Sequence, residues 1–175
     1  MSLSKTARSE ERAEHESSAS SEARDDISGG RILGIDYGTR RVGIALSDPL
    51  RIIAGGVGTL ANDALLMDRL VEVVRSQEVV RVVVGMPYAP DGGKGAKASE
   101  VEAFIEDLRR HVRVAIDTWD ESYTSVDAHR AFIETGMKRK KRRQKSRVDE
   151  MAARLMLQEY LNYHDTRRND DRAGS

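Results

Sequence analysis

The sequence predicts an α/β domain in which a mixed five-stranded sheet is flanked by helices. Two short apolar runs near the start of the folded part are separated only by Gly38, Thr39 and Arg40, as in a β-hairpin. Strand-like and helix-like apolar patterns then alternate along the chain. An antiparallel meander followed by such alternation is typical of a mixed sheet that helices cover.

Composition limits the class of protein. The chain has 175 residues, of which 39% are hydrophobic, enough for one domain with one core. It contains no cysteine, which excludes disulfides, thiol catalysis and cysteine-based zinc sites. No apolar run approaches membrane-spanning length, and the polar N-terminus does not resemble a secretory signal. We therefore expect a cytoplasmic protein with no membrane association.

The composition changes along the chain and predicts three regions. Residues 1–29 are rich in Ser, Glu, Ala and Arg, cannot bury enough apolar surface to fold, and are expected to be a disordered tail. Residues 30–164 carry the periodic apolar patterns and form the predicted domain. Residues 165–175 are polar again and are expected to fray.

Within the domain, each element is predicted from its own apolar pattern. Five segments rich in β-branched and aliphatic residues are predicted to be strands: 31–37, 41–46, 52–59, 79–85 and 112–119. Four segments with apolar residues at helical spacing are predicted to be helices: 62–76, 101–112, 126–135 and 148–161.

Three acidic residues stand at the ends or starts of these elements. Asp36 ends the first strand, Glu121 follows the fifth, and Asp149 lies in the first turn of the last predicted helix. Because the ends of central strands lie together in an α/β sheet, we expect these carboxylates to converge. Carboxylate oxygens suit Mg²⁺ or Mn²⁺, and two such ions about 3.5–4 Å apart could hold both reacting oxygens of a phosphodiester.

Each acid also has a structural interpretation that stays open at this point. Asp36 with Gly38 could form a turn, and Glu121 could be a solvated loop residue. Ser146 to Asp149 fits a capping box, in which the acid satisfies amide donors at the start of a helix. Their shared placement at element ends, and no single residue, favours a common site.

A dense basic run precedes Asp149. Eight of the ten residues from 138 to 147 are Lys or Arg, and a block this dense is more typical of an interaction element than of a solvated face. The expected partner is the phosphate backbone of nucleic acid, bound in a salt-dependent way. A targeting-like patch and a disordered loop are the alternatives. The predicted phosphate-binding residues of the run are Lys138, Arg139, Lys140, Lys141, Arg142, Arg143 and Lys145.

The aromatic residues do not predict base recognition. Tyr37, Tyr88, Trp119 and Tyr123 are dispersed along the sequence, so no stacking platform is expected. Trp119 is expected to be a core residue. Readout of backbone and shape is therefore favoured over readout of sequence.

Four blocks of the sequence carry a resemblance to a known family. Residues 34–48, which read GIDYGTRRVGIALSD, resemble the opening motif of the YqgF/RuvX family. Residues 83–87 resemble its second block, Asp120 and Glu121 with Thr124 its third, and residues 145–161 its last. The blocks follow one another in the expected order over about residues 31–163.

The resemblance implies an RNase H-like fold, similar to the RuvC Holliday-junction resolvases. It implies a nuclease that processes the 5′ end of precursor 16S rRNA, or, in an older interpretation, one that resolves Holliday junctions. It also implies that Asp36, Glu121 and Asp149 bind metal, with Asp36 bridging two Mg²⁺ or Mn²⁺ ions. These are the three acids already selected by their placement.

One departure from the family pattern affects the third block. That block commonly reads Asp-Glu-Arg, whereas here Ser122 stands in place of the Arg and Ser125 in place of a Thr. We therefore expect substrate binding to rely more on Arg40, Arg41 and the basic run. The three acids are intact, so the departure does not imply inactivity.

Three other functions stay open at this point. A resolvase makes two symmetric cuts and would have to act as a dimer, whereas a monomer or weak homodimer is expected for an RNA nuclease. A non-catalytic RNA-binding module in ribosome assembly would need none of the acids. Residues 36–39 also resemble the phosphate-binding turn of sugar-kinase-like and actin-like ATPases, but those enzymes close two such domains over a nucleotide.

Overall fold

The computed structural model describes residues 29–87, 95–120 and 141–173. The described strands are β1 (Arg31–Tyr37), β2 (Arg41–Ser47), β3 (Ala54–Ala61), β4 (Val79–Met86) and β5 (Ala115–Asp120). The described helices are α1 (Leu66–Ser76), α2 (Ala96–His111) and α3 (Lys141–Ala173). The predicted tail up to residue 28 and the predicted helix at 126–135 lie outside the described residues.

The five strands form one mixed sheet in the order β3-β2-β1-β4-β5. β1 pairs with β2, and β2 with β3, in antiparallel fashion, so the first three strands are a meander. β4 pairs parallel to β1, and β5 parallel to β4. The predicted fold class is therefore confirmed, and β1 is the central strand.

Successive side chains of β1 point to opposite faces of the sheet and therefore belong to two separate layers of the core. Leu33 and Ile35 belong to an apolar cluster that α1 and α2 complete on one face of the sheet. Ile32 belongs to a second cluster, which α3 completes on the other face. Gly34 also faces α3, because a Cβ atom built there would lie 2.8 Å from the Cβ of Leu157. The missing side chain lets the helix lie directly on the central strand.

Polar side chains of α3 fasten it to the start of β3. The side-chain amide of Gln158 accepts a hydrogen bond from the backbone N–H of Ala54 (2.8 Å) and donates one to the carbonyl of Ile52 (2.9 Å). Arg154 Nε donates to the carbonyl of Ala54 (3.1 Å). These bonds satisfy backbone groups of an edge strand and fix the position of the helix over the meander.

The third strand begins at Ala54, two residues later than predicted. The carboxylate of Asp48 accepts hydrogen bonds from the backbone N–H groups of Ile52 (2.7 Å), Ile53 (2.8 Å) and Leu50 (3.3 Å). The bond from Ile53, followed by those from Ile52 and Leu50, lowers the pKa of Asp48 against the opposing effect of desolvation. The carboxylate thus holds residues 50–53 in a turn and delays the start of the strand.

The last helix is longer at both ends than predicted. α3 begins at Lys141 and includes most of the basic run, whereas the sequence predicted a start near residue 148. It also continues to Ala173, beyond the predicted end near residue 161, and the frayed end expected from residue 165 stays a prediction. Lys and Arg are good helix formers, and their density predicted an interaction element without fixing its conformation.

Among the three described helices, none has the uninterrupted apolar length that crossing a bilayer requires.

Candidate metal and nucleic-acid site

Asp36 lies near the end of the central strand, on the face that α3 covers. Alternation places it in phase with Ile32 and Gly34, and only 8% of the residue is exposed. Its partner across the antiparallel pair with β2 is Gly43. Asp36 is therefore a strand residue, and the interpretation of it as a turn former is wrong.

Gly43 brings Asp149 to Asp36. A Cβ atom built on Gly43 would lie 2.1 Å from the carbonyl oxygen of Asp149 and 2.6 Å from its carbonyl carbon. The backbone of α3 therefore rests directly on β2 at the residue opposite Asp36. Directly opposed residues of an antiparallel pair have Cα atoms about 4.5–5.5 Å apart. The structure thus brings together two of the three predicted acids, which are far apart in the sequence.

The capping-box interpretation of Asp149 is wrong. Because α3 begins at Lys141, Asp149 lies in the third turn of the helix and cannot satisfy the amides at its start. The residue is half-buried at the helix–sheet interface. The main structural explanation for Asp149 is therefore removed, and its interpretation as a site residue remains.

The third predicted acid cannot be placed. Glu121 immediately follows Asp120, the last residue of β5, and lies outside the described residues. Within residues 29–87, 95–120 and 141–173, no group of three or more acidic or histidine side chains is arranged to hold a metal ion. The described part of the candidate site therefore consists of Asp36 and Asp149.

The predicted phosphate-binding residues lie on two segments. Arg40 is exposed in the turn between β1 and β2, where its carbonyl accepts a hydrogen bond from the backbone of Asn62 (3.1 Å), and Arg41 begins β2. Both follow Asp36 in the same hairpin. Lys141, Arg142, Arg143 and Lys145 lie in the first turns of α3, which leads to Asp149. Lys138, Arg139 and Lys140 lie outside the described residues.

Glu150 is an acid beside the site that the sequence did not single out. A Cβ atom built on Gly56 would lie 2.3 Å from its carboxylate oxygen Oε1. Gly56 belongs to the edge strand β3, two strands from Asp36. Asp149 and Glu150, which are neighbours on α3, thus lie over different strands, β2 and β3. In the sequence, only Gly43 and Gly56 could have indicated this.

The fold also assembles an aromatic cluster that the dispersed sequence positions did not predict. Trp119 of β5 lies with its ring centroid 5.6 Å from that of Tyr160 and 5.4 Å from that of Tyr163, both in edge contacts. The ring of His164 lies 4.3 Å from Tyr160 and 5.4 Å from Tyr163. Trp119 is half-buried against the core cluster beneath α3, as a partial member of that cluster.

Tyr160 is the fixed member of this cluster. Its hydroxyl donates a 2.6 Å hydrogen bond to Asp117 Oδ2. The same oxygen accepts a hydrogen bond from Arg81 Nη1. Burial, and then the hydrogen bond and negative charge of Asp117, raise the pKa of Tyr160 well above its ordinary value. The phenol therefore stays protonated and links α3 to β5.

Comparisons with known proteins agree with this fold. A family model described as RuvX, Holliday junction resolvase, matches residues 30–163. A protein of Bacteroides fragilis is 38% identical over 75% of this chain and 95% of its own length. One of Clostridium acetobutylicum is 41% identical over 75% and 98%. Both are provisionally named pre-16S rRNA nucleases.

A similarity to a solved structure concerns the fold alone. The RuvC of T. thermophilus in complex with a Holliday junction substrate aligns with a TM-score of 0.50 at 14% sequence identity. The alignment covers 77% of this chain and 95% of that one. The RuvC-like, RNase H-like architecture implied by the sequence motifs is therefore confirmed.

Proposed function

This chain belongs to the RuvX family, and from that premise we propose that it is a metal-dependent nuclease that processes the 5′ end of precursor 16S rRNA. The reaction is hydrolysis of a phosphodiester in structured RNA, with a 5′-phosphate and a 3′-hydroxyl as products. The names of the B. fragilis and C. acetobutylicum relatives favour this substrate.

The observation that carries the proposal is the packing of Asp149 on Gly43, opposite Asp36. Two carboxylates on elements this close provide hard oxygen ligands of the kind that Mg²⁺ and Mn²⁺ prefer. Asp36 and Asp149 would hold the metal, with Glu121 as the third ligand. A pair of bound divalent ions would supply an activated water and stabilise the charge on the leaving oxygen. No histidine is needed as a general base.

The protein's own contribution is to hold these acids rigidly and to attract the substrate. Asp36 is fixed by the central strand, and Asp149 by a helix packed directly on the sheet. Arg40 and Arg41 follow Asp36 in the β1–β2 hairpin, and the basic start of α3 precedes Asp149, so each acid has positively charged residues close to it in the chain. Phosphates drawn to these segments would be delivered beside the carboxylates.

A cleavage assay with three substrates tests the proposal. Labelled precursor rRNA, a four-way DNA junction and a linear duplex are each incubated with Mg²⁺, Mn²⁺ or a chelator. We expect metal-dependent cleavage of the rRNA. Cleavage of the junction alone, together with dimer formation, would instead favour resolution of Holliday junctions, which the family description and the RuvC-like fold make the second candidate.

Variants of neighbouring acids sharpen the assay. Asp36→Asn and Asp149→Asn should each lose at least nine-tenths of the cleavage rate while folding and RNA binding persist. Glu150→Gln is the matched control, because its carboxylate lies over Gly56 on the edge strand, and it should cleave like the wild type. Cleavage by Asp36→Asn above a tenth of the wild-type rate would refute the site. RNA binding without any cleavage in the wild type would favour a non-catalytic assembly module.

A further inference from the structure

We propose that Trp119 and Tyr163 form a stacking platform for an unpaired nucleobase next to the scissile phosphate. This inference rests on the proposed function and adds to it a class of substrate: a nucleic-acid strand with exposed bases at the cleavage position. The ligand is a base of RNA or DNA, and its recognition is by stacking, which does not depend on the identity of the base.

The position of Trp119 in the sheet carries the first step. Trp119 pairs with Gly85 of β4, and the preceding residue of β4, Val84, pairs with Ile35 of β1. Asp36 therefore lies at the same level along the strands as Trp119. Trp119 packs against the apolar cluster beneath α3, so Trp119 and Asp36 are both on the face of the sheet that α3 covers. Two strand spacings separate them, about 9–10 Å, and Gly85 contributes only backbone between them.

The second step is that the rings are arranged for contact from one side. Tyr160, Tyr163 and His164 have the spacing that places side chains on one face of a helix. Tyr160 is buried, and its hydroxyl is fixed by Asp117. Tyr163 is 47% exposed although it is large and aromatic. Tyr160 therefore holds the cluster in place, and Tyr163 is its more exposed member.

The third step is that core packing does not explain Trp119 fully. Its indole Nε1 is buried and meets no acceptor among the described residues. Buried tryptophan N–H groups usually find one, so this placement is unfavourable for a residue that serves only the core. A flat ring kept half-exposed beside a phosphate-attracting site is instead suited to a base, since every base offers a π-face.

The positive charge at the start of α3 indicates which class of ligand the aromatic cluster would bind. The same helix that presents Tyr163 begins with Lys141, Arg142 and Arg143, and Asp149 lies between these two parts of the helix. A polyanionic strand bound by the basic segment would pass the acids and bring its bases to the aromatic cluster. An apolar peptide would satisfy the rings but not the basic segment. The combination favours a nucleotide chain.

Tryptophan fluorescence tests the proposal directly, because Trp119 is the only tryptophan in the chain. The wild type in chelator is titrated with a short oligouridylate, whose bases stack little on one another, with its deoxy counterpart, with an RNA duplex, and with an abasic strand. We expect saturable quenching by both single strands. The duplex and the abasic strand, which bring phosphates without free bases, should bind with little quenching.

Two substitutions measure the contribution of the rings to affinity. Tyr163→Ala should weaken binding of oligouridylate by about 5- to 150-fold, the range for loss of one stacked base, and leave duplex binding unchanged. Trp119→Ala should do the same, and Trp119→Phe should restore most of the affinity. Leu50→Ala, an exposed apolar residue (73%) in the turn between β2 and β3, is the matched control.

The outcomes separate this proposal from the proposed function. Equal quenching by the abasic strand, or unchanged oligouridylate affinity in folded Tyr163→Ala, would overturn the stacking platform even if metal-dependent cleavage is intact. Conversely, quenching and binding are measured without metal, so they can succeed where cleavage by the wild type fails. If Trp119→Ala does not fold, the wild-type titration and Tyr163→Ala still decide the matter.

Discussion

Replacing Gly43 by Ala should separate Asp149 from Asp36. The added Cβ would lie 2.1 Å from the carbonyl oxygen of Asp149, whereas ordinary contact begins near 3.4 Å. The obstacle is helix backbone, not the end of a flexible side chain, so α3 must withdraw by about 1.3 Å at this position. Overpacking of this kind costs about 1–3 kcal/mol of stability. A misplacement of about 1 Å at a reacting centre can cost about 100-fold in rate.

The experiment combines thermal unfolding with the metal-dependent cleavage assay. At about 2–4 °C per kcal/mol for a chain of this size, Gly43→Ala should lower Tm by roughly 2–12 °C. Cleavage measured well below the new Tm should fall by about two orders of magnitude. RNA binding in chelator should change little, because the basic segments are untouched.

Two other glycines provide matched controls. At Gly55 a new Cβ would meet only the carbonyl oxygen of Leu46, at 3.8 Å, so Gly55→Ala should leave both Tm and cleavage near the wild-type values. At Gly34 it would lie 2.8 Å from Leu157 Cβ, about two helical turns from Asp149. Gly34→Ala should therefore lower Tm with a smaller effect on rate.

The pattern across the three variants decides the matter. A wild-type Tm in Gly43→Ala would refute the close approach of α3 to β2. A lowered Tm with an unchanged rate would keep the packing but refute its role in positioning Asp149. Equal rate losses in Gly34→Ala and Gly43→Ala would mean that the loss comes from general loosening of the helix.

Three further predictions concern other parts of the chain. Removing residues 1–29 should leave Tm and cleavage unchanged, and a large fall in Tm would show that this segment packs on the domain. Changing the four basic residues at 140–143 to Gln should reduce the slope of log affinity against log salt by roughly 3–4, whereas an unchanged slope would indicate a solvated charged segment. Tyr160→Phe should remove a pH dependence: because the folded-state pKa of Tyr160 is raised, its stabilising contribution is complete below about pH 10 and is lost as pH rises above it. Denaturant unfolding at alkaline pH should therefore show a steeper decline for the wild type than for the variant, and parallel declines would contradict this.

The sheet was predictable because its strands carry strong local signals. Residues 31–37 and 79–85 are β-branched or aliphatic runs bounded by turns, and the hairpin between β1 and β2 is short. The observed strands β1 and β4 agree with these signals within one residue. The start of β3 was missed because it depends on the Asp48 carboxylate, whose hydrogen bonds to residues 50–53 cannot be read from apolar periodicity.

The candidate site was predictable only in part. Element ends suggested Asp36 and Asp149, but Ser146 to Asp149 also matched a helix-capping pattern, and only the start of α3 at Lys141 removes that interpretation. The approach of Asp149 to Gly43 is a property of helix-on-sheet packing, which has no local signature. Trp119 and Tyr163 meet only because α3 crosses from the meander to β5. The roles of the three acids stay predictions.

The packing of α3 across the sheet has a consequence for synthesis of the protein on the ribosome. Ile32, Gly34 and Val83 are made long before the helix that covers them, and until it docks they form an uncovered apolar face of the sheet. A nascent chain at that stage is prone to aggregation and is a natural client for chaperones. Because Asp149 arrives on the same helix, the step that protects this face also completes the described part of the site. An incompletely translated chain would therefore lack the approach of Asp149 to the strand residue opposite Asp36.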